Sequence, residues 1–402
     1  MKVVWISPYL PLPVTTGGRR RISSLMGRLS SRHEITLVAY DRGEVSGARD
    51  ASGALVRGVH TIGRRPPRSI LNAALWAVGP WPFMAVANGF NRGMVRLLRE
   101  VVDRVQPDVL HCEHFHLWQA VSRARKSWWP PVVLSQQGIE FLVTERFAKV
   151  PRSIVLKTGF RWELAKARRW EIAACRAADT VVVVSRADAG VLSQLLPRQR
   201  IRVVENGVDV EEFQPAAEGV DPASFVMLFV GTFSFFGNRD ALRYLVAEIL
   251  PAVQRLRPAA SLRVIGEDPP VTAAPGVEYV GTVPHVAPHL QAARLLVAPL
   301  RTGSGTKLKL LEAMACGIPF ITTSYGAEGI EGATDAGIIA DDTRGFVEAA
   351  VRLIDDHTLA QRLGRRGREI ATKSYSWDVS ASALADAWEE TRVSGARHGK
   401  VG

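Results

Sequence analysis

Short apolar runs, rich in β-branched residues and bounded by Gly, Pro or charged positions, recur along the chain with amphipathic stretches between them. Lys2–Ser7 (KVVWIS) reads as a buried strand. The loop PLPVTTGGRRR follows, then a helical run, Ile22–Leu29, and a second strand at Glu34–Tyr40. A strand–helix–strand unit of this kind sets its strands parallel in a doubly wound sheet. Further strands are expected at Val109–His111, Val132–Ser135 and Thr180–Ser185, each apolar enough to be covered on both faces. A long amphipathic stretch, Phe147–Ala178, separates the last two.

After the turn at Asn206-Gly207 and a polar stretch from Pro215 to about Ser224, the pattern restarts. Phe225–Val230 reads as a strand, GTFSFFGNRD as a loop, and about Ala241 to Leu256 as a helix. Leu262–Gly266, Val277–Val280, Leu295–Ala298 and Phe320–Thr323 continue the strand series, with LKLLEAMA as a helix before the last. The predicted fold class is α/β, with two Rossmann-like doubly wound domains at residues 1–215 and 216–375. A terminal helix and tail occupy 376–402.

Length agrees, since 402 residues exceed what one compact core serves. Charge is uneven. Residues 1–200 hold 31 Lys+Arg against 14 Asp+Glu, and residues 201–402 hold 20 against 25. Eight of the ten tryptophans precede residue 171. A basic, aromatic half attracts phosphate, whether on nucleic acid, anionic lipid or a phosphorylated acceptor. The three cysteines, Cys112, Cys175 and Cys316, form no CxxC pair, so neither a disulfide framework nor a zinc site is indicated and a reducing cytoplasm is expected. The N-terminus meets prolines too early for a signal peptide. The most apolar stretch, roughly Ile70–Ala87, is broken by Pro80 and Pro82 and is not expected to span a membrane.

The most informative segment is Arg301–Gly332, RTGSGTKLKLLEAMACGIPFITTSYGAEGIEG. A Gly-rich loop (Gly303, Ser304, Gly305, Thr306) opens a helix whose N-terminus offers unpaired N–H groups and positive dipole. Lys307 and Lys309 add charge, which together makes a diphosphate cradle. Glu312, three residues past Lys309, is placed to accept hydrogen bonds from ribose hydroxyls. Read alone, the same loop also fits a capped helix–strand unit with solvated lysines. At the N-terminus, Gly17 and Gly18 lack Cβ, so backbone there can approach a ligand closely or take positive φ; a plain turn fits equally well. Of Arg19, Arg20 and Arg21, at most one is expected to assist with phosphate. His111, Glu113, His114 and His116 of HCEHFHL invite a metal reading, but a strand running on through the segment would turn His111 away from His114 and His116. No metal site is predicted.

The string LLEAMACGIP followed by TT and GAEGI resembles the retaining glycosyltransferases of family four, within the group 1 and 4 enzymes, which have the GT-B fold of two domains facing across a cleft. The resemblance implies that Glu312 binds the nucleotide ribose. It also implies that Gly303, Ser304, Gly305, Thr306, Lys307 and Lys309 hold the donor diphosphate and sugar, and that Gly17 and Gly18 lie against the donor. VSRADAGVL and RIRVVENGVDVEEFQP are similar to the family's hinge approach, and YSWDVSASALADAWEE to its closing helix, which often crosses back to the first domain. Three departures stand out. Ser304 occupies the place of a second glutamate, Thr232 and Phe236 the places of an Arg/Lys pair, and Gln137 that of a sugar-contacting histidine. Asn238 and Arg239, with the two lysines, are the candidates to replace the missing pair, because charge developing on a leaving diphosphate must be met. Gln137 can hydrogen-bond a hydroxyl but cannot shuttle a proton, which leaves Glu140 as candidate for acceptor activation.

The implied function is transfer of a sugar, with retention, from a nucleotide-diphosphate sugar to a glycan, lipid-linked or small-molecule acceptor. No cofactor is expected, nor nucleic acid as partner, while the segments Arg64–Arg99 and Arg146–Arg176 are candidates for peripheral contact with an anionic membrane or for ordinary core. Two rivals are a nucleotide-sugar epimerase of the same architecture and a catalytically inactive phosphate-binding relative.

Overall fold

The structure, a computed structural model, describes residues 1–41, 43, 47–63, 70–83, 85–86, 91–149, 154–217, 223–302 and 305–398. The chain divides into two compact units, Met1–Glu205 with Ser380–Gly402, and Asn206–Val379.

Unit 1 is built on a seven-stranded sheet, all parallel, in the order β3-β2-β1-β4-β5-β6-β7. Its strands are β1 (Lys2–Ser7), β2 (Glu34–Asp41), β3 (Gly58–Gly63), β4 (Val109–Glu113), β5 (Val132–Ser135), β6 (Thr180–Val183) and β7 (Ile201–Val203). Val3, Val4, Trp5 and Ile6 are fully buried, as a central strand covered on both faces requires. The helix Gly17–Leu29 buries Arg21, Ile22, Leu25, Met26 and Leu29, a stripe at helical spacing. It starts earlier than the apolar run suggests because the Thr16 hydroxyl caps it, accepting from Arg19 N. The amphipathic stretch resolves into two helices, Glu140–Lys149 and Ile154–Ala177.

Unit 2 carries a six-stranded parallel sheet in the order β10-β9-β8-β11-β12-β13. These strands are β8 (Ala223–Val230), β9 (Ser261–Ile265), β10 (Val277–Gly281), β11 (Ala293–Ala298), β12 (Phe320–Thr322) and β13 (Gly337–Ile339). The helix after β8 begins at Phe236 rather than near Ala241 and runs through a π segment, Leu245–Ile249, to Leu256. The helix Leu308–Ala315 ends in a Schellman motif: Gly317 sits at φ +69°, Ile318 N bonds Ala313 O and Gly317 N bonds Met314 O. The helix His357–Ser374 presses on this turn so closely that a Cβ at Gly364 would lie 1.9 Å from Gly317 O.

The units part at Glu205–Asn206, not at Pro215. Residues after the turn belong to the second core, with Val208 and Phe213 buried there. Val208 N bonds Tyr375 O, and Arg368 donates to Val210 O, Phe213 O and Ala315 O. The terminal helix, Trp377–His398, starts in unit 2 and contributes Ser380 onward to unit 1. In unit 1 its Thr391 hydroxyl meets Thr180 at 2.7 Å. Among the described residues no helix is long and apolar enough to cross a membrane.

Candidate active site

In a doubly wound sheet, connections leave in opposite directions from two central strands, and a crevice opens at their carboxyl ends. Here those pairs are β1/β4 and β8/β11, and several of the described polar residues singled out by the sequence lie near their ends.

In unit 2, Lys309 occupies the first turn of the helix that follows β11. Its Nζ donates to Asn238 Oδ1 at 2.8 Å and lies 4.7 Å from the centre of the Phe229 ring. Asn238 belongs to the first turn of the helix after β8, and its Nδ2 donates to Thr232 O at 2.8 Å. A carbonyl can only accept, so this bond fixes the amide with its oxygen toward the lysine. Asn238 therefore orients a cation rather than replacing one. Burial pushes the Lys309 ammonium down to about 7; Glu312, one turn on, opposes the shift and Lys307 adds to it.

Lys307 caps this helix in extended conformation without a side-chain bond to it, so the helix opens two residues later than Thr306. A lysine has no oxygen with which to cap an N–H. Leu310 N bonds Lys307 O, and the N–H groups of Leu308 and Lys309 are left along the helix dipole. Lys307 Nζ turns back to Gly305 O at 2.5 Å and lies 5.0 Å from the Tyr325 ring centre, so the two lysines diverge. Thr306 is buried. Gly303 and Ser304 lie outside the described residues. Arg239 is exposed, whereas neighbouring Asp240 holds Arg301 through two hydrogen bonds of 2.9 and 2.8 Å.

In unit 1, Gly17 and Gly18 form the first turn of a helix rather than a loop, and neither takes positive φ. What demands glycine is crowding. A Cβ at Gly18 would lie 2.3 Å from Tyr9 Oη and 2.7 Å from Gln137 Oε1. Gln137, just past β5, donates from Nε2 to Glu113 Oε2 at 3.3 Å. Glu113 ends β4 and is fully buried; its other oxygen, Oε1, is 3.2 Å from His111 Nε2. Trp388 Nε1 donates to His111 Nδ1 at 3.1 Å. Burial pushes the Glu113 carboxyl up, but the His111 hydrogen bond and the electrostatics of His111, His114 and Arg21 outweigh it and bring the group down to about 2.

Glu140 stands apart from this cluster. Its backbone N–H, with that of Phe141, donates to the buried carboxyl of Glu171 at 3.1 and 3.0 Å, so Glu171 caps the Glu140–Lys149 helix from a neighbouring one. The Glu140 carboxyl is pushed up by burial and then by Glu163. Arg21 is buried and donates to Glu205 O and Val204 O, while Arg19 reaches Pro13 O and stacks 5.5 Å from the Tyr9 ring centre. His114 takes φ +66° and ends the strand, and no group of three metal-ligating side chains occurs among the described residues.

Sequence reasoning passed over Tyr9 and Trp388, and took Glu113 only as part of a metal-inviting motif. Glu113 was in view within HCEHFHL, and its position at the end of a central strand was the usable signal. Tyr9 and Trp388 join only through folding.

Two Rossmann-like domains in series, each with polar groups gathered at its topological switch point, form the architecture of the GT-B enzymes. Solved structures share it. The sucrose-phosphate synthase of Thermosynechococcus elongatus superposes with a TM-score of 0.73 at 17% identity, covering 98% of this chain and 100% of that one. Anabaena HepE in complex with UDP and glucose gives 0.68 at 13% identity, covering 97% and 99%. The family described as "Glycosyltransferase Family 4" matches residues 15–212, and that described as "Glycosyl transferases group 1" matches residues 224–356. The glycogen synthase of Mycobacterium tuberculosis is 24% identical over 414 residues, spanning 96% of this chain and 94% of its own. The D-inositol 3-phosphate glycosyltransferase of Segniliparus rotundus is 26% identical over 311 residues, spanning 70% and 67%. The chain belongs to the group 1 and family 4 glycosyltransferases and is an enzyme of that class. These matches favour a transferase over the epimerase.

Proposed function

We propose that this protein moves a hexose, with retention, from a nucleotide-diphosphate sugar to an acceptor hydroxyl. Unit 2 holds the donor. The observation that carries the reading is Lys309, a largely desolvated ammonium fixed by Asn238 beside open helix N–H groups. Such a site seeks a polyanion, because a desolvated cation regains favourable electrostatics only when an anion arrives. Gly305, Thr306 and Lys307, with Gly303 and Ser304, complete the diphosphate cradle, and Glu312 takes the ribose. In unit 1, Gly17, Gly18 and Gln137 are assigned to sugar hydroxyls. As the glycosidic bond breaks, charge accumulates on the diphosphate, where Lys309 stabilises it, and the leaving oxygen draws the acceptor proton on the same face. Glu140, its carboxyl raised, is the alternative proton acceptor. No metal and no cofactor is assigned a role.

Support for the sugar chemistry comes from relatives: the glycogen synthase of M. tuberculosis, the lipopolysaccharide core mannosyltransferase of Rhizobium meliloti, and structures of HepE with UDP-glucose. The acceptor we propose belongs to cell-surface polysaccharide, glycolipid or secondary-metabolite glycosylation. The basic first half supports action beside an anionic inner membrane face. A panel of nucleotide sugars screened by thermal unfolding tests the reading. One donor at about 100 times its dissociation constant stabilises the fold by about 2.7 kcal/mol, and Glu312→Ala removes that shift. An unchanged shift in Glu312→Ala would overturn the ribose assignment.

A further inference from the structure

A side-chain amide can present either a donor or an acceptor, and its neighbours decide which. Gln137 sits at the carboxyl end of β5 with one face on Glu113 and the other on Gly18. Glu113 is buried between His111 and Gln137, and the nearby Arg21 guanidinium favours its charged form, a carboxylate that can only accept. Its own orientation is set from behind. The Trp388 indole can only donate, so His111 Nδ1 accepts and Nε2 carries the hydrogen, which it gives to Glu113 Oε1. Glu113 Oε2 is then left to receive Gln137 Nε2. The consequence is that Gln137 Oε1 faces the start of the Gly17–Leu29 helix, 2.7 Å from where a Cβ on Gly18 would stand. Among the described residues that oxygen has no hydrogen-bond partner.

We propose that Glu113 is a positioning residue which, locked by His111 and Trp388, holds the Gln137 amide with its oxygen toward Gly18, so that the site selects a ligand group that donates a hydrogen: a sugar hydroxyl. This rests on the transferase reading for the identity of the ligand, but not for the orientation of the amide. Glu113→Gln makes the two separable. The new amide keeps its oxygen on His111 Nε2–H and turns an NH2 to Gln137. Gln137 then flips, offering its oxygen to position 113 and its NH2 to the ligand.

The first arm of the test needs no substrate. In full-length protein labelled with 15N-glutamine, the Gln137 side-chain amide signal is identified by its loss in Gln137→Leu. The proposal expects that signal displaced from the free-amide position in the wild type. It should move strongly in Glu113→Gln and measurably in Trp388→Phe, which keeps an aromatic ring but removes the indole N–H. A free-amide signal unaffected by both variants overturns the proposal. The second arm measures dissociation constants for UDP-glucose and GDP-mannose and for their mono-deoxyfluoro analogues. Fluorine cannot donate, so at one sugar position the wild type should lose about 3- to 10-fold in affinity while Glu113→Gln loses little. Equal losses in both proteins at every position overturn the proposal. If neither nucleotide sugar binds the wild type, the donor reading fails for these two sugars, and the amide signal still decides the orientation.

Discussion

Lys309 gives the proposed site a specific dependence on pH. Burial holds its ammonium at about 7 instead of the usual 10.5. The folded-state value is depressed, so near neutral pH about half of the unliganded molecules carry this charge. A nucleotide-sugar diphosphate is fully ionised across this range and restores the missing stabilisation, drawing the lysine back toward its ordinary value. Binding must therefore take up protons. Affinity is full below pH 7, where Lys309 is already charged, and declines as pH rises through that value. With a free-protein value of about 7, affinity at pH 9 should be roughly 100-fold weaker than at pH 6, equivalent to about 2.7 kcal/mol. Calorimetry in two buffers of different ionisation enthalpy reads the uptake directly: about half a proton per donor at pH 7 and about 0.9 at pH 8. Lys309→Arg keeps its charge throughout and should bind with a flat pH profile, whereas Lys309→Met should bind weakly and without uptake. No proton uptake by the wild type, or the same slope in Lys309→Arg, would refute the reasoning.

Two other substitutions follow from close approaches. Gly18→Ala drives a methyl against Tyr9 Oη and Gln137 Oε1; kcat/KM should fall by at least about tenfold, and Tyr9→Phe in the same chain should restore part of it by removing one of the two clashing atoms. No rescue would mean that the Gln137 contact alone, or another feature of the turn, sets the need for glycine. Gly364→Ala, whose Cβ would meet Gly317 O, should lower stability by about 1–3 kcal/mol in chemical denaturation; a midpoint equal to that of the wild type would contradict the packing described for this helix pair.

Much of the scaffold could be read from the sequence because apolar, β-branched runs flanked by turn residues have few other fates. β1, β2, β5 and β8 fall where the pattern puts them. β3 escaped notice because its residues are only half-buried, and β7 and β13 because each is short and not a continuous apolar run: Arg202 interrupts the first and Gly337 opens the second. The helix at Phe236 was hidden for a different reason: Gly237 and Asn238 look like turn chemistry, yet here they open a helix. Placing Asn238 in that first turn is what brings its amide to Lys309. The candidate donor-site glutamate and lysines share one local string, since loop, lysines and Glu312 lie within ten residues of one another. The unit 1 cluster was not, because it joins strand ends to a helix near the other end of the chain. Arg21 marks the limit. Its place among three arginines suggests a solvated run, but helical spacing with Leu25 and Leu29 puts it on the buried face.

The most direct test is a structure of the protein with a nucleotide-diphosphate sugar bound. It should show phosphate oxygens within hydrogen-bond distance of Lys309 Nζ and of the N–H groups of Leu308 and Lys309, with ribose hydroxyls on Glu312. A nucleotide bound elsewhere, with Lys309 still paired only to Asn238, would contradict the account.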